Sequence, residues 1–196
     1  MYKTYTVSDM FKLPPQHFGD DLEKVALEVL RRKYEGAIDK DLGVIVAITD
    51  VSNISDGMIY PGDPATHHNA RFNVLAFMPQ VDEVVNGEVS ELVEFGAFVR
   101  IGPMEGLVHV SQIANDFLSF DKKTPAFVSK KTGKSLKKGD SVLAKISTVS
   151  MKKTVKDSKI ALTMKPEGLG KPEWIKAEGK GRREETGRKG GSGKRR

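Results

Sequence analysis

No cysteine occurs anywhere in the 196 residues. That absence excludes disulfides, thiol nucleophiles and cysteine-ligated zinc or iron, and leaves ordinary apolar packing to hold whatever fold forms. No run of about eighteen apolar residues is present, so no membrane-spanning helix is expected. The opening M-Y-K-T-Y-T-V also lacks the basic-then-apolar order of a signal peptide, which predicts a cytoplasmic protein. Histidine is scarce, and the adjacent pair His67 and His68 cannot present both rings to one ligand on an extended segment, because successive side chains point to opposite faces. No metal site is expected. Ser/His/Asp ordering, a helical His-Glu-x-x-His and a convergent carboxylate pair are all missing. The string T-G-K-S at Thr132 to Ser135 has Val128 where a phosphate-binding loop needs its first glycine, and no strand-to-helix change flanks it. No catalytic residue and no cofactor are predicted.

What is present is a net charge of +6, unevenly placed. Residues 171–196 hold ten Lys or Arg against four Glu and so carry the whole of it. This reads as a basic tail, anchored at most by Trp174 and Ile175 and disordered beyond about Lys176. Within the rest, residues 1–80 sum to −3 and residues 81–170 to +3. Three segments follow: 1–80, 81–170 and the tail from 171.

The first segment opens with an alternating stretch rich in β-formers, Tyr2 to Val7, before Pro14-Pro15. Asp20 with Glu23 has the form of a helix capping box, and Leu22, Val25, Ala26, Val29 and Leu30 recur at helical spacing up to about Tyr34, with Gly36 as the stop. Gly43 to Val51 and Arg71 to Met78 read as buried strands of a sheet that the helix covers. Between them, Ser55 to Ala70 is too rich in Gly and Pro to continue a sheet and is predicted to project as a loop. Its Met58, Ile59 and Tyr60, bracketed by Gly57 and by Pro61-Gly62, put contiguous apolar groups where exposure is expected, which marks a partner-binding tip unless they fold back.

The second segment is organised by Val85 to Ser111. V-N-G-E-V, then E-L-V-E-F-G-A-F-V-R-I, then M-E-G-L-V-H-V-S read as three strands, the middle one running from Glu91 to Ile101. Gly139 to Ile146 and Lys159 to Met164 add two more. Five strands in about eighty-five residues fit a small Greek-key barrel of the OB type. Rings on a solvent face beside cations suit unpaired bases and phosphates, so single-stranded nucleic acid is the predicted ligand. The alternative for Phe95 or Phe98 is a place in the core. From Asn115 to Lys138 the connection is long and lysine-rich. Its Phe117, Leu118, Phe120 and Phe127 predict a packed excursion, with a short helix and a hairpin around Lys131.

F-G-A-F-V followed by E-G-L-V-H-V-S resembles the RNA-binding domain first described in ribosomal protein S1. That resemblance implies an RNA face of Phe95, Phe98 and His109, with Lys159 standing where the family often has a basic residue before the last strand. Arg100 and Lys145 are further candidates for polar and phosphate contacts. Ser150 stands where the family often has Asp. The helix-and-sheet segment, the I-S-D-G-M-I-Y-P-G-D loop and F-M-P-Q-V-D-E-V-V-N-G-E-V together resemble the larger stalk subunit of RNA polymerase, the archaeal E-prime and eukaryotic seventh-subunit family. The expectation is an α+β chain, with an N-terminal helix-on-antiparallel-sheet (RNP-like) domain followed by an S1-type OB barrel. The resemblance implies a non-catalytic subunit that pairs with a smaller stalk subunit, plugs its tip, Gly57 to Gly62, into the polymerase core and meets nascent single-stranded RNA. An S1-domain accessory factor of RNA decay or translation is the alternative.

Overall fold

The computed structural model describes residues 1–122, 124–152 and 154–176. The tail predicted to be disordered beyond Lys176 lies outside these residues. The described residues divide into two compact units, Met1–Pro79 with Ser150–Ser158, and Gln80–Val149 with residues 159–176.

The first unit is one antiparallel sheet backed by a helix. Its elements are β1 (Tyr2–Leu13), α1 (Leu22–Tyr34), β2 (Ile38–Asp39), β3 (Gly43–Ser52), β4 (Met58–Ile59) and β5 (Thr66–Phe77). The order is β1-β5-β3-β2, with β4 joined to β5. β1 continues to Leu13 and stops at Pro14-Pro15, where the missing N–H groups end the ladder. Along β5, His68, Ala70, Phe72, Val74 and Ala76 are buried at every second position. They join Phe11, Ile45 and Ile48 beneath Val25, Ala26 and Leu30 of α1, whose apolar positions recur at helical spacing. The helix is capped by Asp21 rather than by the expected Asp20. The Asp21 carboxylate accepts from the Glu23 and Lys24 amides at 3.2 and 3.4 Å, while Asp20 pairs with His17 at 3.1 Å. A cap must stand two or three residues ahead of the amides it satisfies, and the break at Gly19 leaves Asp21 there.

The second unit contains β6 (Val84–Val93), β7 (Gly96–Ile101), β8 (Met104–His109), β12 (Ser141–Ser150) and β13 (Lys159–Thr163), closed into a barrel of order β12-β13-β8-β7-β6. β13 runs parallel to β8, whereas β7 pairs antiparallel with both β6 and β8, and β6 with β12. This is the OB connectivity. Ala97, Val99, Val108, Val142, Ala144, Ile146 and Leu162 fill the interior at 1% exposure or less. A bulge between Val89 and Glu91 bends β6 for closure.

The stretch expected to be one strand from Glu91 to Ile101 is two. Val93 pairs with Gly96, so Glu94 and Phe95 form a two-residue turn, and Leu92 and Val93 belong to β6. Gly96 permits this because any Cβ there would overlap the Val108 carbonyl oxygen of β8.

The long connection holds β9 (Leu118–Asp121), β10 (Ala126–Ser129) and β11 (Ser135–Lys137), a three-stranded sheet of order β11-β10-β9. The predicted hairpin around Lys131 is present, whereas the expected helix is replaced by strand β9; the one helical turn nearby, Val110–Gln112, precedes the excursion. Leu118, Phe127 and Leu136 are buried, but Phe117 is 83% exposed.

Residues 171–176, read from sequence as the start of the tail, are folded. Gly170 exchanges two backbone hydrogen bonds with Leu143, at 2.8 and 2.9 Å. Lys171 meets Asp140 at 3.0 Å, and Trp174 is buried with the Lys134 ammonium 5.4 Å from its ring centre. An apolar ring with a hydrogen-bonded lead-in outweighs the basic composition around it.

Candidate nucleic-acid interface and docking tip

The outward positions of three adjacent strands form the candidate interface. On β7, Ala97, Val99 and Ile101 point into the barrel, so Phe98 and Arg100 point out. Cross-strand pairing sets Phe98 opposite Leu107 of β8, and Leu107 opposite Ala161 of β13. These three make a shallow apolar row across the barrel, strands about 4.8 Å apart. Phe95 rises from the turn at one end of this row, 52% exposed, with its ring 6.4 Å from that of Phe98 and nearly perpendicular to it at 83°. Phe98 is half-buried, with one side closed by the sheet.

His109 closes the same end. It pairs with Gly96, and the next amide, Val110, donates to the Phe95 carbonyl at 2.9 Å. Its Nδ1 accepts from the Ser111 amide at 3.3 Å and lies 2.8 Å from the Ser111 hydroxyl. That occupies Nδ1 as an acceptor and leaves the N–H on the exposed ring's Nε2, available to donate to a phosphate or base oxygen. Ser111 is thus a positioning residue that the sequence reading did not single out.

The cations are less uniform than the sequence implied. Arg100 is exposed two residues beyond Phe98 and sits between Glu88 and Glu105 in the cross-strand register. Lys159 is exposed at the start of β13, two residues from Ala161 on the same outward face. Lys145 lies on β12, which borders neither β7 nor β8, and its ammonium meets Asp82 at 2.6 Å. Phe95, Phe98, Arg100, His109 and Lys159 therefore share one neighbourhood of strands, and Lys145 stands apart. Lys122 of the inserted sheet reaches Glu94, beside Phe95, at 2.5 Å, and the same contact raises the Lys122 pKa.

The second candidate site is the tip of the first unit. What sequence predicted as a loop is partly a hairpin, with Met58 paired to His67 and Ile59 to Thr66. Gly and Pro confine the irregular backbone to the turn, where Gly62 has φ +86°, a left-handed conformation open to few other residues. At the base, a Cβ on Gly57 would press on the His68 ring. Met58, Ile59 and Tyr60 are 47, 75 and 44% exposed, so they do not fold back.

Beneath them lies a polar support in which His67 is buried, Asp63 half-buried and Lys12 exposed. Asp63 accepts from Lys12 Nζ and from His67 Nε2, both at 2.9 Å, and from the Ala65 amide at 3.1 Å. The Lys12 contact, then the amide and His67, hold its carboxyl well below the usual range. Tyr60 packs edge-on to His67 with ring centres 4.7 Å apart. His68, on the opposite side, stacks on Phe11 at 5.4 Å and binds Thr66 and the Ser55 carbonyl. The two histidines point apart, each with its own partners. Among the described residues no cluster of His, Asp or Glu is placed to hold a metal ion, and no helix is long and apolar enough to cross a membrane.

A helix-backed antiparallel sheet followed by an S1-type barrel defines the class of protein. Residues 8–64 match the SHS2 domain found in the N terminus of Rpb7p and Rpc25p, and residues 78–159 match the S1 RNA binding domain. The chain is 42% identical over 175 residues to DNA-directed RNA polymerase subunit Rpo7 of Saccharolobus shibatae, covering 89% of this chain and 97% of that protein. Rpo7 of Sulfolobus acidocaldarius is 39% identical over 91% of this chain and 97% of its own length. The RNA polymerase II subunit rpb7 of Dictyostelium discoideum is 27% identical over 74% of this chain and 86% of its own. The chain belongs to the Rpo7/Rpb7 family of RNA polymerase stalk subunits.

Proposed function

We propose that this subunit holds single-stranded nascent RNA on its barrel while its N-terminal unit seats it on the polymerase core and on a smaller stalk subunit. The observation that carries the RNA reading is the row Phe98–Leu107–Ala161 ending at the exposed Phe95, with His109, Arg100 and Lys159 around it. A ring accepts a base on its face only when the base is unpaired, and each such contact contributes about 1–3 kcal/mol. His109 Nε2–H, Arg100 and Lys159 supply the donors that phosphates require. The core-docking role rests on Met58, Ile59 and Tyr60, whose exposed side chains are carried on a hairpin fixed by Asp63.

The test is affinity and thermal stability measured on the same Phe95→Ala and Phe98→Ala proteins. Each is expected to stay folded, to bind single-stranded RNA about five-fold or more weakly, and to keep the parent's salt slope, because no ion pair is lost. Duplex RNA is expected to bind poorly to all of them. Folded variants that bind single strands as well as the parent would remove the stacking surface from the reading.

A further inference from the structure

The most exposed large apolar side chain among those described is Phe117, outside the face described above. It stands at the entry to the inserted sheet. Ser129 pairs with Leu118, which brings the β10–β11 turn and its exposed Lys130 and Lys131 to the same end of the sheet as Phe117. This corner is fixed. The Asp116 carboxylate accepts from the Ser129 hydroxyl, from the Thr132 hydroxyl at 2.7 Å and from the Phe117 amide at 2.8 Å. Ser129 Oγ in turn accepts from the Lys131 and Thr132 amides, both at 3.1 Å. An aromatic ring held in solvent on a rigid corner, beside two exposed ammonium groups, repeats the chemistry of Phe98 with Lys159.

Its position along the surface is also set. After His109 the chain crosses the end of β13, where Gln112 accepts from the Met164 amide at 2.8 Å and from the Thr163 hydroxyl at 2.9 Å. Asn115 then donates to the Lys165 carbonyl at 3.2 Å, and Phe117 follows. From there β9 runs back until Lys122 meets Glu94 at the Phe95 turn. Phe117 and the Phe95 turn thus mark the two ends of β9, roughly 15 Å apart by the strand rise. A single strand leaving the barrel row at Phe95 has a second ring within reach along the inserted sheet.

We propose that Phe117, with Lys130 and Lys131, is a second stacking station for single-stranded RNA. The proposal rests on the barrel reading and extends it to longer strands. It is tested on the full-length protein with oligouridylates of about four and about sixteen nucleotides, the span of single OB-fold site sizes. Phe117→Ala is expected to weaken the long strand about five-fold or more and to leave the short one unchanged. Lys130→Ala with Lys131→Ala is expected to weaken the long strand and to lower its salt slope by up to about two. Since the ring is in solvent, its removal leaves the packing intact.

Phe117→Ala that binds the long strand like the parent, while Phe98→Ala weakens both lengths, would overturn the second station and spare the barrel reading. Equal weakening of both lengths by Phe117→Ala would place the ring in the barrel site and also overturn it. If neither variant affects either strand, the barrel reading falls and takes this proposal with it.

Discussion

Both candidate sites expose apolar side chains at the end of a two-stranded ribbon, yet they differ in what surrounds them. At the tip, Met58, Ile59 and Tyr60 stand over a neutralised base: Lys12 is committed to Asp63, and His67 shares that carboxylate. The outward face that carries Phe95 and Phe98 also carries Arg100 and His109 and, two strands across, Lys159. Apolar groups with no free charge beside them fill pockets on another protein, and removing such an anchor at an interface costs about 2 kcal/mol or more. Flat rings bordered by donors suit bases and phosphates. The pairing of apolar group with charge, rather than exposure alone, is what leads to a different proposed partner for each surface.

The contrast is broken most severely at the tip. Met58→Asp with Ile59→Asp is expected to leave a folded chain that still binds RNA but fails to join the polymerase core in reconstitution. Normal incorporation would show that the exposed tip is not the anchor. A smaller effect is expected on the barrel from Lys159→Ala. It should reduce RNA affinity a few-fold and lower the slope of log affinity against log salt by about one, because one fewer counterion is released. Equal salt slopes for parent and variant would remove Lys159 from the phosphate path.

The smallest effect concerns the base of the tip. The Asp63 carboxyl is depressed in the folded chain, so its contribution to stability is present above its unfolded value near 3.8 and declines as pH falls below it. The side chain is partly open to solvent and its Lys12 partner is exposed, which keeps this contribution small. Melting temperature followed from pH 6 to pH 3 should therefore fall slightly more for the parent than for Asp63→Asn. Parallel curves would mean that the Lys12–Asp63–His67 cluster does not stabilise the hairpin.

Much of this was legible in the sequence, for physical reasons that also explain the misses. Apolar spacing of 3.6 located α1, and apolar runs bounded by turn residues located β3 and the strands of the barrel. The turn at Glu94-Phe95 was hidden because alternation continues across it and neither residue is a turn former; it exists because Gly96 lets β7 approach β8. The pairing of β4 was masked by the Gly and Pro that shape the turn beyond it. Aromatic content drew Phe117 into a predicted core, whereas a register set by Ser129 and Leu118 leaves it outside. Lys145 was read as a free cation because its partner, Asp82, lies 63 positions away and no short-range pattern reports such a contact.

The closed ladder of the barrel divides the labour between residues that alternate along a single strand. Each barrel strand has a neighbour on both sides, so along the paired stretches no backbone edge is open and a ligand there meets the outward side chains. Inward positions such as Val99 and Val108 are fixed by packing, while their neighbours Phe98, Arg100 and Leu107 carry little of that burden. Ligand preference is therefore free to drift over generations at nearly constant fold stability, one outward side chain at a time.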